Sequence, residues 1–313
     1  MMTVHPIQPS QLEQFIHIGS DTGHCDDTRR YLEQMLAAGS IRTEWCYVVE
    51  ENDHMLGRVA FWSLPKSRTP QAIVLLDLPW EKSSYMSVGT ALLQRCFADM
   101  RDLGTANAEY VLDGPAMAPQ WQNNAEERIK LLEHVGFRLL RKTYRFEYKH
   151  QELPLALEKD CIFKSLQETG EAAFIEAIER VGINILDQRE QDEQHRLGHA
   201  AHALDLFRDL QQMDVESHWW QLAYTPEGNL IGLVMPAKNP TYATIAYIGV
   251  VPEQRGKGYI DVLLDRGTRT LFESGANIIR ADTDLNNFPM ANAFIRYGYE
   301  QFAIRHEYRC LLD

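Results

Sequence analysis

The chain has 313 residues, with 45% apolar and 24% charged side chains and a formal net charge of −13. That length suits two ordinary domains, and the composition is that of a globular chain. A surface this acidic disfavours nucleic acid and anionic membrane and tolerates a cationic small molecule. No apolar run reaches the roughly 18 residues of a membrane-spanning helix. The start, MMTVHPIQPS, lacks the basic-then-apolar layout of a secretory signal. Five cysteines without a CxxC pair point to reduced thiols and a cytoplasmic protein.

In chain order, residues 11–20 and 26–38 carry helical patterns, the second closed by Gly39. Residues 45–50, WCYVVE, and 55–64 read as a hairpin. An apolar strand spans 72–78. An amphipathic helix over 88–103 places Leu92, Leu93, Cys96, Phe97 and Met100 on one face. A short extended stretch at 110–113, a helix at 124–134 and a strand at 138–149 complete this half. Residues 150–160, HQELPLALEKD, are polar with one proline and read as a linker, which divides the chain into domains 1–150 and 151–313.

The second half repeats the order. Helices are expected over 171–181 and 191–213, a hairpin over 219–224 and 230–235, and an apolar strand over 245–251. Pro252 stops that strand, and the loop Glu253-Gln254-Arg255-Gly256-Lys257-Gly258 leads into a helix beginning at Tyr259 and Ile260. A strand over 278–284, a helix over 290–296 and a strand over 301–311 close the chain. Landmarks coincide between the halves. Leu56-Gly57-Arg58-Val59 matches Ile231-Gly232-Leu233-Val234, Gly104 matches Gly275, and Gly136-Phe137 matches Gly298-Tyr299. An internal duplication accounts for them.

Strand, glycine-and-basic loop and helix together make a phosphate site. Glycines without Cβ let backbone N–H groups approach an oxyanion, and a helix start adds unpaired N–H groups and its dipole. Arg255 and Lys257 add positive charge. With the strand-like 277–284, Asn286-Asn287 and the closing Gly298-Tyr299, the run Val250 to Gly258 resembles the acyl-CoA loop of the GNAT superfamily of N-acyltransferases. Arg255 and Gly258 match its pattern, and Ile260 replaces the last small residue. The resemblance is strong over 217–311 and weak over 1–150.

The resemblance implies an α/β fold of two GNAT-like mixed-sheet domains in tandem, a pseudo-dimer in one chain. It implies acyl-CoA-dependent N-acyl transfer, with acetyl-CoA as donor and a small cationic amine as acceptor, in a monomer or weak homodimer. A non-catalytic CoA-binding regulatory module is the alternative reading, and O-acyl transfer to an alcohol is another. The implied cofactor-binding residues are Ile248, Gly249, Val250 and Val251 along the pantetheine arm, Arg255, Gly256, Lys257, Gly258, Tyr259 and Ile260 at the phosphates, and Asn287. Asn287 is equally a helix N-cap, and Gly249 marks a bulge or a close approach. The tyrosine that the family often uses as general acid falls at Phe294, which has no proton to give, and Tyr297 lies on another helix face.

Asp282 and Asp284 alternate on one strand and share a face. Asp284 is the expected catalytic carboxylate, its pKa raised by Asp282. His195, His199 and His202 have the spacing of one helix face, but their polar surroundings point to a solvated or cleft-lining face, and no metal is expected. Of Trp219 and Trp220, one ring is expected in the core and the other at the cleft. In the first half, the loop from Pro79 to Gly89 is about two residues longer and lacks an Arg-Gly-x-Gly core. One CoA per chain is therefore expected.

Overall fold

The computed structural model describes residues 2–312 except 20, 21, 66, 150, 151, 158 and 240. The chain divides into two compact units, residues 1–140 with 305–313, and residues 141–304. These units differ at two strands from the halves 1–150 and 151–313 read from the sequence. The strand Arg138–Tyr148 crosses into the second unit at Arg141, and the last strand returns to the first unit at Arg305. Of the stretch 150–160, residues 150, 151 and 158 lie outside those described.

The first unit begins with β1 (Thr3–Pro6), α1 (Leu12–Ile16) and α2 (Cys25–Ala38). It continues with β2 (Cys46–Glu51), β3 (His54–Trp62), β4 (Ala72–Asp77), α3 (Tyr85–Asp102), β5 (Asn107–Gly114) and α4 (Ala125–His134). Gly39 closes α2 in the left-handed conformation, at φ 74°. The strand order is β1-β2-β3-β4-β5, with the C-terminal end of the last strand beyond β5. One core packs α3 and α4 against the sheet through Leu92, Leu93, Cys96, Met100, Leu131 and Leu132. A second packs Phe15, Leu32 and Met35 under the opposite side.

After β6 (Arg138–Tyr148), the second unit contains β7 (Ile162–Ser165), α5 (Leu166–Thr169), α6 (Glu171–Val181), α7 (Gln188–Leu197) and α8 (His199–Leu210). Then follow β8 (Gln221–Tyr224), β9 (Leu230–Lys238), β10 (Ala243–Val250), α9 (Tyr259–Glu273), β11 (Ile279–Asp284), α10 (Phe288–Tyr297) and β12 (Glu300–Leu311). The strand order is β6-β11-β10-β9-β8-β7. The single helix expected over 191–213 is two helices, because Gly198 at φ 83° breaks the ladder. Asp187 caps α7 by accepting from the Glu190 N–H at 3.0 Å.

The core of this unit joins Phe174, Ala177 and Val181 of α6 and Leu263, Leu264 and Leu271 of α9 to the central strands. Close approach is built in at Gly249. A Cβ there would stand 2.1 Å from Val181 Cγ1, so the absent methyl lets the end of α6 press onto β10. Overpacking of a tight contact costs about 1–3 kcal/mol. Gly249→Ala is expected to lower stability in chemical denaturation by about that amount, with partial recovery when Val181→Ala is added. A neutral Gly249→Ala would contradict the contact.

Candidate functional site

The second unit has a gap in its sheet. β10 pairs antiparallel with β9 from Ala243 opposite Lys238 to Val250 opposite Gly232, with a register shift between Ile245 and Tyr247. Ala246 is thus the bulged residue, not Gly249. On its other edge β10 pairs in parallel with β11 at Ala243–Ile279 and Thr244–Arg280, and the described pairing ends there. Both strands continue, β10 to Val250 and β11 to Asp284. Past Thr244 they diverge, and the edge of Ile248, Gly249 and Val250 that does not face β9 lies toward the opening. Val251 N–H returns to the Ile231 carbonyl at 2.9 Å.

The basic loop lies at the end of this opening. Pro252–Gln254 form a single 3-10 turn, and Gly256 and Gly258 are left-handed at φ 75° and 74°. Gly258 is the N-cap of α9, so the unpaired N–H groups of the first turn, at Tyr259 and Ile260, follow it. Among the described residues, the two chain neighbours of Gly256 aside, no heavy atom stands within 4 Å of where a Cβ on Gly256 would be.

Arg255 does something other than the sequence suggests. Its guanidinium donates to the carbonyls of Val250 (3.0 Å), Asn184 (3.2 Å), Val181 (2.8 Å) and Ile183 (2.8 Å). The last carbonyls of a helix lack partners within it, and Arg255 supplies them at the end of α6. Its charge is turned onto this helix end and does not lie free in the loop. Lys257 donates to the Glu253 carbonyl at 3.0 Å and to Gln254 Oε1 at 2.8 Å. A cation that the sequence reading missed lies beside them. Lys159, from the stretch read as linker, donates to the Lys257 carbonyl, lies 4.1 Å from the Tyr259 ring centroid, and stands 3.6 Å from the Cβ position on Gly258. The same stretch is held to the unit where Tyr148 donates to the Glu152 carbonyl at 2.8 Å and Arg269 to the Pro154 carbonyl.

At the far end of β11, Asp284 is buried. Asp282 shares its face but is exposed and held by Arg145 at 3.2 Å. The carboxyl that pairs with Asp284 is Asp187, which corrects the expected partner. Asp284 accepts the Gln188 N–H at 2.7 Å and lies 3.8 Å from the Arg141 guanidinium, which also bonds Asp187. Burial first, then the charge of Asp187, push the Asp284 pKa up to about 7, against the Gln188 N–H and Arg141, which lower it. Asn287 accepts the Met290 N–H at 3.3 Å and caps α10.

Phe294 is buried against Phe146 and Tyr299, with ring centroids 5.1 and 5.3 Å away. Tyr297 points elsewhere and donates to Asp265 Oδ1 at 2.8 Å. Burial and that bond raise its pKa. The three histidines do not share a face. His195 and His199 are exposed on different helices, and His202 is buried with its Nε2 2.7 Å from Glu190 Oε2. That bond is the first cause holding the His202 pKa above its usual value, against burial. Trp219 and Trp220 are both buried, so neither ring caps a cleft.

The first unit has the corresponding gap, and its own chain fills it. β4 and β5 pair in parallel at Ala72–Glu109 and Ile73–Tyr110. Beyond that point Leu75, at φ 51°, lies in the register shift between β3 and β4, and its N–H donates to Gln120 Oε1 at 3.1 Å. Gln122 serves the other edge. Its Nε2 donates to the Val111 carbonyl at 2.7 Å and its Oε1 accepts the Asp113 N–H at 3.2 Å. Two side-chain amides of residues 115–124 thus satisfy backbone groups that a third strand would otherwise bond. The preceding loop has no glycine pair, and Trp80 within it is buried under Arg128, 4.5 Å from the ring centroid.

The second unit thus combines a mixed sheet, a bulged strand, a gap beside it and a glycine loop at a helix start. Residues 184–299 match the Acetyltransferase (GNAT) family, so the second unit carries a GNAT domain. The whole chain is similar in fold to a GCN5-related N-acetyltransferase from Sphaerobacter thermophilus. There the TM-score is 0.64 at 15% identity, covering 99% of this chain and 96% of that one. It is also similar to a tandem GNAT protein from the clavulanic acid biosynthesis pathway, with TM-score 0.54, 13% identity, and 100% and 99% of the two chains covered. A third similar structure is a glucosamine N-acetyltransferase region of a fungal multi-domain β-N-acetylglucosaminidase. Its TM-score is 0.58 at 13% identity, over 98% of this chain and 38% of that one. No curated protein sequence matches the chain. The fold is therefore two GNAT-like mixed-sheet units in tandem.

Two outcomes follow from this geometry. Asp284 binds its proton more tightly folded, at about 7, than at the 3.8 of an ordinary Asp. Its stabilising contribution is complete below the lower value and lost as pH rises through the higher one. Asp284→Asn, which keeps the shape of the protonated carboxyl, is expected to gain stability relative to wild type as pH rises from about 4 to about 7. A constant difference in melting temperature across that window would contradict the buried pair. Gln122→Ala leaves the Val111 carbonyl and Asp113 N–H without their partner, and denaturation should show a loss of about 1–3 kcal/mol. No loss would mean that the amide bonds do not hold the gap.

Proposed function

We propose that the second unit transfers an acyl group from acyl-CoA, with acetyl-CoA as the donor, to the nitrogen of a small cationic amine. The observation that supports this most is the opening between β10 and β11, with a glycine-paired helix start at its end. An extended pantetheine arm carries amides that can bond the free edge of Ile248 to Val251 as an added strand would. The bulge at Ala246 takes backbone groups out of the ladder, where they can reach a thioester oxygen. The phosphates would lie against the N–H groups from Gly256 to Ile260, with Lys257 and Lys159 supplying charge beside them. Asn287, which already caps α10, would close the β11 side of the opening.

The acceptor end is served by Asp284. A primary amine arrives protonated at neutral pH, and only its neutral form attacks a thioester carbonyl. A carboxyl with a pKa of about 7 can attract the cation when ionised and take its proton before attack. With Phe294 buried at the usual position of the family's general acid and the Tyr297 hydroxyl committed to Asp265, the CoA thiolate leaves without a proton from a tyrosine at that position. That same observation favours the second reading, a CoA-binding regulatory module without turnover.

Calorimetry with acetyl-CoA and release of CoA in the presence of an amine panel separate the two. Gly258→Val places a branched side chain at a left-handed position against the phosphates. It is expected to weaken acetyl-CoA binding by at least about tenfold, the loss of one charge-assisted bond. Unchanged affinity would remove the loop from the site. With an active acceptor, kcat should rise with pH through an apparent pKa near 7, and Asp284→Asn should lower kcat and abolish that limb. A panel that yields binding but no CoA release would leave only the regulatory reading.

A further inference from the structure

Tyr247 is the first residue after the Ala246 bulge. Gly249, two residues on, shares its side of the strand, and that side faces the end of α6 through Val181. The Tyr247 hydroxyl oxygen is buried and has no hydrogen-bond partner among the described residues. Buried tyrosine hydroxyls ordinarily find one. Burial first, then the charges of Glu190 and Asp187, raise the pKa of this hydroxyl, and Arg255 opposes them. Arg255 is committed to carbonyls at the end of α6 and the end of β10.

The groups around it are otherwise paired. Glu190 is bonded to His202. Asp187 caps α7, and Asp284 accepts the Gln188 N–H at 2.7 Å. Arg141 bonds Asp187 and lies 3.8 Å from Asp284. Asp187 acts on Asp284 from beside it: after burial, its charge is the next cause raising the Asp284 pKa, so Asp284 is the carboxyl that holds a proton. Among the described residues the Tyr247 hydroxyl is a buried polar atom without a partner, on the strand that the transferase reading places beside the thioester.

We propose that the Tyr247 hydroxyl and the Asp187–Asp284 carboxyl pair together form the seat for a primary aliphatic ammonium group, the nucleophile of the acceptor. The inference rests on the transferase reading for the direction of attack, but not for the binding itself. An alkylammonium has three N–H donors. One goes to Tyr247 Oη and the others to the carboxyl pair. The cation displaces the Asp284 proton to solvent, and Arg141 and the ligand offset the carboxylate charge. One ammonium proton then passes to Asp284, which restores the singly protonated pair and frees the nitrogen lone pair. An alcohol of the same length brings no charge and one donor in place of three, so the seat selects amines over alcohols.

The full chain with isotope-labelled tyrosine tests this by nuclear magnetic resonance, with Tyr247→Phe assigning the signal. Cadaverine is the probe and pentanediol its uncharged counterpart. Cadaverine is expected to shift the Tyr247 ring signal and pentanediol to leave it in place. Tyr247→Phe should bind cadaverine about tenfold more weakly, the loss of one hydrogen bond. It should keep its affinity for acetyl-CoA and melt no lower than wild type, since the hydroxyl has no protein partner to lose. The proposal is overturned if cadaverine leaves the signal unmoved, if pentanediol moves it equally, or if Tyr247→Phe melts lower with unaltered cadaverine binding. Failure of wild-type protein to bind acetyl-CoA would instead count against the transferase reading, and the cadaverine response reads the seat separately.

Discussion

The parallel pairing of β10 with β11 stops after Ala243–Ile279 and Thr244–Arg280, and the candidate site depends on that stop. A continuous ladder would use every backbone group on both strands and leave no edge for an extended ligand. Divergence is held from outside the ladder. On one side Gly249 admits Val181, and Arg255 fastens the end of α6 to the end of β10. On the other, β6 pairs with β11 along its length from Ile279 opposite Tyr148 to Asp284 opposite Thr143. Each strand is thus secured to its outer neighbour and released from the other.

The same constraint explains why the two units differ. Divergent strands leave backbone donors and acceptors that must be satisfied. In the first unit Gln120 and Gln122 do so from within the chain, at Leu75, Val111 and Asp113. Trp80 under Arg128 occupies the loop where the second unit has left-handed glycines. The first unit therefore has a corresponding strand divergence, with backbone groups beside it bonded by its own side chains.

Much of this was legible in the sequence because it is local. The β10–loop–α9 run has a strand pattern, a stop and two glycines in eighteen residues or so, and the strand alternation of Asp282 and Asp284 needs no distant information. What was not legible depends on partners far along the chain. Arg255 reads as a phosphate ligand until the carbonyls of Val181, Ile183 and Asn184 arrive, and these compete for it as soon as α6 ends there. Asp187, the cap of α7, carries no signal of its second role, which appears only when β11 brings Asp284 to it. Gln120 and Gln122 sit in a stretch without periodicity. The strands Thr3–Pro6 and Ile162–Ser165 are four-residue elements that owe their conformation to β2 and β8. The break between α7 and α8 falls at Gly198, inside a polar run that continues a helical pattern on both sides.

Hydrogen exchange with and without acetyl-CoA tests the central claim most directly, because it reads the two openings in one experiment. Amides of residues 246–251 and 256–260 are expected to slow when acetyl-CoA is added. Amides of Leu75 and Asp113, already bonded to Gln120 and Gln122, are expected to be slow in both states. Protection gained in the first unit, or none gained along β10 and the start of α9, would contradict the account.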